Sequence, residues 1–193
     1  NMSSNTAVSM IFHAIVLAVE GYVSTRSNFF SETMLGKAIE LLLLALDPEQ
    51  SKLVGTPSEM LVAQGGCMAS MGVAVSSPGV ATAISLACNA RYKTSSSLVC
   101  SVLLPYIMED AARAKVDKIV TIGKMLGVSG AGLNSSEIAR AAIDDIRRRL
   151  ALAGLPTRLK DLELTIDQLV PVAEDAAALD LMNYIPRAMS SDE

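Results

Sequence analysis

The sequence predicts an all-α fold, a multi-helix orthogonal bundle forming one helical domain over residues 1–193. Three observations lead there. Of the 193 residues 51% are apolar, yet only 4% are aromatic and none is Trp. The core must therefore come from Ala, Leu, Val, Ile and ten Met, a mixture in which Ala, Leu and Met lose little side-chain freedom on entering a helix. No run sustains the period-two alternation of a strand, and apolar residues recur instead at helical spacing. Finally, cap residues and breakers punctuate the chain at helix-length intervals.

The elements follow in order. A first helix from about Thr6 to Ser24 aligns Met10, Ala14, Leu17 and Gly21, with Ile11, Ile15, Ala18 and Tyr22 beside them. It is apolar almost all round, which predicts a central position. Ser27-Asn28 turns the chain. A second helix runs from Ser31 to Leu46 and stops at Asp47-Pro48. Pro57-Ser58 opens a third, reaching about Ser76, in which Gly65, Gly66 and Gly72 predict close approach to a neighbour. After Ser77-Pro78-Gly79 a shorter helix covers Val80 to about Arg91. The next runs from about Ser96 toward Lys115 with a kink expected at Pro105. Gly127 to Leu133 reads as a loop. Asn134 and Glu137 read as a capping box before a helix from Ile138 to Ala153, with Ile143, Ile146 and Leu150 inward and an outward Asp144–Arg148 pair. A last helix extends from Ile166 to about Leu181. Residues 1–5 and 187–193 are expected to be irregular tails, and Asn1 ahead of Met2 reads as a tag remnant.

Composition also narrows function. A net charge of -4 and a sequence pI near 5.1 give no basic field for nucleic acid. Three Cys without a C-x-x-C spacing indicate neither a disulfide framework nor a cysteine zinc site, and fit a reducing cytoplasm. The apolar stretches Ile11–Val19 and Leu98–Met108 are short for a bilayer span, so no membrane association is expected. A mean hydropathy of +0.40 leaves more apolar surface than a small domain buries, which predicts a homodimer or higher homo-oligomer. The acidic pairs Glu109-Asp110, Asp144-Asp145 and Glu174-Asp175 read as exposed helix faces, and Met2, Met10, Met34, Met60, Met68 and Met71 as core filler.

Several motifs carry a family resemblance. Glu20-Gly21-Tyr22-Val23-Ser24 is similar to the E-A-Y-V-S of iron-containing alcohol dehydrogenases, where it closes the first helix of the C-terminal, metal-binding domain. Ala74–Ser77 and Gly79 resemble that family's A-F-S-N-A-G turn. Val102-Leu103-Leu104-Pro105-Tyr106-Ile107-Met108-Glu109 resembles its L-L-L-P-Y-V-M-E, and Asp175–Asp180 with Ile185-Pro186-Arg187 and Ser190–Glu193 resembles its C-terminal A-x-x-D and N-P-R signature. The resemblance covers nearly the whole chain and implies the helical domain of the dehydroquinate synthase-like fold.

The resemblance also assigns site positions. The family's D-x-x-x-H ligands fall on His13 and Leu17, its third ligand His on Ile84, and its last on Ser96. The His that lies near the nicotinamide falls on Cys88. An iron or zinc site needs several carboxylate or imidazole donors, so these replacements predict no metal. The family's nucleotide-binding domain is not among these residues, which are read as a freestanding helical domain with no nucleotide cofactor. Gly130-Ala131-Gly132 follows no strand and is discounted as a phosphate loop.

From these positions His13 emerges as candidate acid or base, since an imidazole titrates near neutrality; a core His with one satisfied partner is the plain alternative. Cys88 is a candidate nucleophile if His13 lowers its pKa, or else a small hydrophobe. Ser96, with Tyr92 and Lys93 on the same loop and helix start, would hydrogen-bond an enolate or carboxylate, or form a solvated loop. Leu17 and Ile84 would line a substrate pocket. Three functions compete: metal-free acid–base chemistry on a small apolar carbonyl compound, a non-catalytic binding or assembly module, and a subunit of a metal-dependent alcohol dehydrogenase.

Overall fold

A computed structural model describes residues 4–128 and 132–189, and within them α1 (Ser4–Val23) is the axis around which the other helices are arranged. It is followed by α2 (Phe29–Ala45), α3 (Pro48–Val54), α4 (Ser58–Val75), α5 (Val80–Tyr92), α6 (Ser96–Met125), α7 (Ser135–Leu152) and α8 (Ile166–Ala177). Short 3₁₀ turns lie at Leu159–Leu162 and Asp180–Tyr184, and there is no strand among the described residues. The fold is all-α, as the composition predicts.

The all-round apolarity of α1 is explained by its neighbours, for it packs against α2, α4, α5 and α6. Phe12, Ile15, Val16, Ala18 and Val19 are each at most 1% exposed. The expectation that no segment reaches span length needs correcting here: Thr6–Val23 is long and apolar enough by length and composition to cross a bilayer. Most of that window is buried inside the bundle, and four helices account for its apolar character.

Small residues set the next layer. A Cβ at Gly65 would lie 2.8 Å from Cγ of Leu42, and one at Gly72 would lie 2.5 Å from Cγ of Leu35, so both glycines let α4 press against α2. Gly66 has open space instead, contrary to its sequence reading. Between α4 and α5 the chain bends by 100°, which gives the bundle its crossed layers.

Several boundaries differ from the sequence reading for identifiable reasons. Asp47-Pro48 ends α2 but also starts α3, because Asp47 Oδ1 accepts from the N–H groups of Glu49 and Gln50 and Pro48 occupies the first turn, where no donor is missed. The cap of α2 is Asn28, with Ser31 as its reciprocal partner three residues on. Helix α6 runs past Lys115 to Met125 and remains helical through buried Pro105; its one break among the described residues is at Lys115, with φ -140° and ψ 55°. Packing of Val102, Leu103, Leu104 and Met108 holds the chain in line despite the proline. The capping box at Asn134 and Glu137 forms as read, with α7 starting at Ser135.

The charged residues tie elements together more than the sequence suggests. Asp144 pairs with Arg147 rather than Arg148, which binds Asp145. Glu109 reaches Arg147, Asp110 reaches Arg187 and Asp175 reaches Arg91, so these acids link helices instead of forming free solvent faces. Met10, Met60 and Met71 are exposed rather than core filler, and Met108 is the fully buried methionine. Asp180–Tyr184 is a separate turn beyond α8. Met2, the discounted glycine loop and the Ser190–Glu193 part of the C-terminal motif lie wholly or partly outside the described residues.

Candidate functional site

One face of α1 organises the site. Ser9, His13, Leu17 and Glu20 are spaced by four, four and three residues, which places them on a single helical stripe. At its two ends that stripe meets α6 and α5. Ser9 Oγ lies 3.2 Å from Ser97 Oγ at the start of α6, and Glu20 reaches the start of α5.

The Glu20 end is fully satisfied. Gly79 opens α5 without any side-chain cap, and the carboxylate of Glu20 supplies one from a distance. It accepts from the N–H of Gly79 at 2.9 Å, of Ala81 at 2.6 Å and of Thr82 at 3.4 Å, and from the Thr82 hydroxyl at 2.6 Å. Burial pushes the Glu20 carboxyl up, while these four donors pull it back. A Cβ at Gly79 would approach Glu20 Oε1 to 3.1 Å, so a glycine there admits the carboxylate. Cations reach the C-terminal end of α1 from beyond the break in α6: Lys118 donates to the Tyr22 carbonyl at 2.8 Å, to Ser27, and to Glu32 at 3.0 Å.

Two turns earlier the character reverses. His13 is half-buried and makes no hydrogen bond among the described residues. Burial lowers its pKa, so the imidazole is neutral and its ring nitrogens are free at neutral pH. Leu17 beside it is half-buried and aliphatic.

On the facing side, α5 and α6 run antiparallel. Ser96 Oγ donates to the Ser85 carbonyl at 3.5 Å, a long contact, and Cys100 Sγ lies 3.7 Å from the Ala81 carbonyl. Cys88 is fully buried on this layer; burial raises its thiol pKa, and pushes that of neighbouring Cys100 up to about 12. Neither thiol has the electropositive setting that favours a thiolate, so Cys88 reads here as a packed thiol. Ile84 faces another way, into a groove of about 430 Å³ shared with Leu103, Tyr106 and Met182. Tyr92 is half-buried at the end of α5, and exposed Lys93 closes that helix at φ 56°. His13 lines none of the grooves of about 470, 430 and 360 Å³ that hold Arg113, Ile84 and Pro48 respectively.

The four positions assigned to a metal supply one imidazole, two aliphatic chains and a hydroxyl. Among the described residues no three His, Cys, Asp or Glu come together as a metal site would require. These donors do not fit iron or zinc, which take several nitrogen, sulfur or carboxylate ligands. The sequence leaves the Ser9–Ser97 contact and the capping role of Glu20 unread: Ser9 and Glu20 share a legible stripe with His13, but their partners lie 88 and about 60 residues away.

The crossing of α1, α5 and α6 defines the class by fold, an all-α bundle built around an apolar first helix. The chain belongs to the Fe-containing alcohol dehydrogenase family, whose C-terminal family model matches residues 4–193. Its fold is similar to that of an alcohol dehydrogenase from Oenococcus oeni, at TM-score 0.90 and 20% identity over 99% of this chain and 50% of that one. A 1,3-propanediol oxidoreductase matches equally well, at TM-score 0.90 and 21% identity over 100% of this chain and 50% of the other. The iron-containing alcohol dehydrogenase from Thermococcus thioreducens gives 0.81 and 20% over 100% and 49%. The chain thus spans about half the length of the structures it matches. No curated protein matched the sequence.

Proposed function

We propose that this domain performs metal-independent acid–base chemistry on a small apolar carbonyl compound, with His13 moving the proton. The observation that carries the reading is that one neutral imidazole without a hydrogen-bond partner stands where the family resemblance puts a ligand Asp, when Leu17, Ile84 and Ser96 stand at the other ligand positions. In the reading, a ring nitrogen of His13 takes a proton from the carbon next to the carbonyl. The C–H electron pair of a β,γ-unsaturated substrate passes into a dienolate whose oxygen accepts a hydrogen bond from the Ser96 hydroxyl, turned from its long contact with Ser85, and the imidazolium returns the proton at the γ-carbon, which shifts the double bond into conjugation. Tyr92 and Lys93 would stand at the rim and Leu17 would form apolar wall, while Ile84 turns into the neighbouring groove and Cys88 packs in the core.

Solvent-hydrogen exchange tests this directly. Candidate ketones incubated with the protein in heavy water should gain deuterium next to the carbonyl, and His13→Gln should slow this by about 100-fold or more. Equal exchange by wild type and variant overturns the assignment. Stoichiometric iron or zinc in the purified protein would instead favour a subunit of a metal-dependent alcohol dehydrogenase.

A second reading, a non-catalytic assembly module, is favoured by two observations. His13 lies outside the grooves that hold Arg113, Ile84 and Pro48, and Phe29, Ile166 and Leu53 are at least 80% exposed. Such residues predict self-association, and native mass spectrometry showing only monomer at micromolar concentration would count against it.

A further inference from the structure

Away from the α1 stripe, α6 and α7 enclose a groove of about 470 Å³ with an unbalanced set of charges. Its walls carry Arg113, Arg140 and Arg147 against two carboxylates, Glu109 and Asp144. Arg147 engages both acids, at 2.6 Å and 3.2 Å. Arg113 and Arg140 form no hydrogen bond or ion pair among the described residues, and the acids near them in sequence do not neutralise them. Asp110 is held by Arg187, Glu137 accepts from the Asn134 N–H, and Asp145 is held by Arg148 and Arg149. Asp117, one turn beyond Arg113, makes no bond to it.

Two guanidinium groups from different helices thus line one groove without a bonded acceptor, beside the Arg147–Glu109–Asp144 cluster and over apolar lining that includes Ala112 and Ile143. Planar forks of N–H donors match oxyanions with two hydrogen bonds each. Three arginines against two carboxylates leave one net positive charge, and the terminal oxygens of a phosphate can accept from both unbonded forks, whereas the two oxygens of a carboxylate are filled by one. The groove volume exceeds that of a bare phosphate, and its apolar floor accommodates an organic body. We infer that the α6–α7 groove binds a small molecule through a phosphate or phosphate-ester group, gripped between Arg113 and Arg140.

Titration calorimetry on the full chain at fixed ionic strength, with inorganic pyrophosphate and succinate as probes, tests the inference. Pyrophosphate is expected to bind saturably and more tightly than succinate. The double variant R113Q/R140Q should weaken it by about tenfold or more, and R148Q, which alters an arginine paired outside the groove, should leave it unchanged. R140K, which keeps the charge but loses the fork, should give an intermediate loss with an unaltered circular dichroism spectrum, and this readout stands even if the double variant misfolds. Absence of saturation, equal binding by wild type and the arginine variants, or tighter binding of succinate would each overturn the assignment. None of these outcomes depends on His13.

Discussion

Two positions on the α1 stripe make opposite uses of polar groups. Glu20 is buried, ionisable and surrounded by four donors from α5. His13, about 10 Å back along the same helix by its rise per residue, is half-buried and has no hydrogen-bond partner. A polar group satisfied on every side belongs to the architecture, because its removal strands the groups around it. One left unsatisfied on a half-buried helix face contributes little to holding the helices together, and its ring nitrogens remain available for chemistry. The comparison separates scaffold from candidate site within a single helix.

The largest effect should come from breaking the scaffold end. Glu20→Gln presents an NH₂ group to a ring of N–H and O–H donors, so at least one buried donor loses its acceptor. The expected cost is about 2–4 kcal/mol, measured by urea unfolding at pH 7. Catalysis, if present, would fall too, since α5 loses the cap that fixes its position against α1. A cost below about 0.5 kcal/mol would mean that water or a shifted backbone replaces the carboxylate, and the contrast between the two positions would lose its basis.

A smaller effect is expected at the C-terminal end of the same helix. Lys118→Met keeps the stem but removes the donor to the Tyr22 carbonyl and the ion pair with Glu32. The loss should be about 1–2 kcal/mol in the same unfolding assay. The exposed pair Lys37–Glu40 on α2 is the natural control, and Lys37→Met should change stability by less than about 0.5 kcal/mol.

How much of this was legible in the sequence depends on distance along the chain. Local signals were readable: the Asn134–Glu137 box, the stop at Asp47-Pro48, the apolar surround of α1. Where one motif serves two elements the reading was incomplete, as at Asp47, which caps α3 while ending α2. The break at Lys115 has no local sign; the contacts beside it are long-range, from Lys118 to the Tyr22 carbonyl at the end of α1 and from Lys115 to the Ser24 carbonyl just beyond it. In the same way, the family motifs located His13, Leu17, Ile84, Cys88 and Ser96, but only the folded chain shows that Ile84 turns toward another groove and that Cys88 lies sealed in the core. Side-chain direction and solvent access are properties of the packed bundle, which spacing alone does not encode.

The smallest stability effect is expected at His13, and it should appear through pH. Burial lowers the folded-state pKa below the ordinary 6.5, so the unfolded chain binds this proton first as pH falls. The neutral imidazole's contribution is therefore present above about pH 6.5 and is lost as pH drops through the lowered folded value. At pH 7.5 His13→Gln should differ from wild type by less than about 0.5 kcal/mol. Between pH 6.5 and 5 the wild type should lose stability relative to the variant, because only the wild type must accommodate a charge in that half-buried position. Parallel unfolding curves at several pH values give the comparison. If the two proteins track each other throughout, His13 titrates as a solvated imidazole would, and the α1 stripe then holds one special position, Glu20, instead of two.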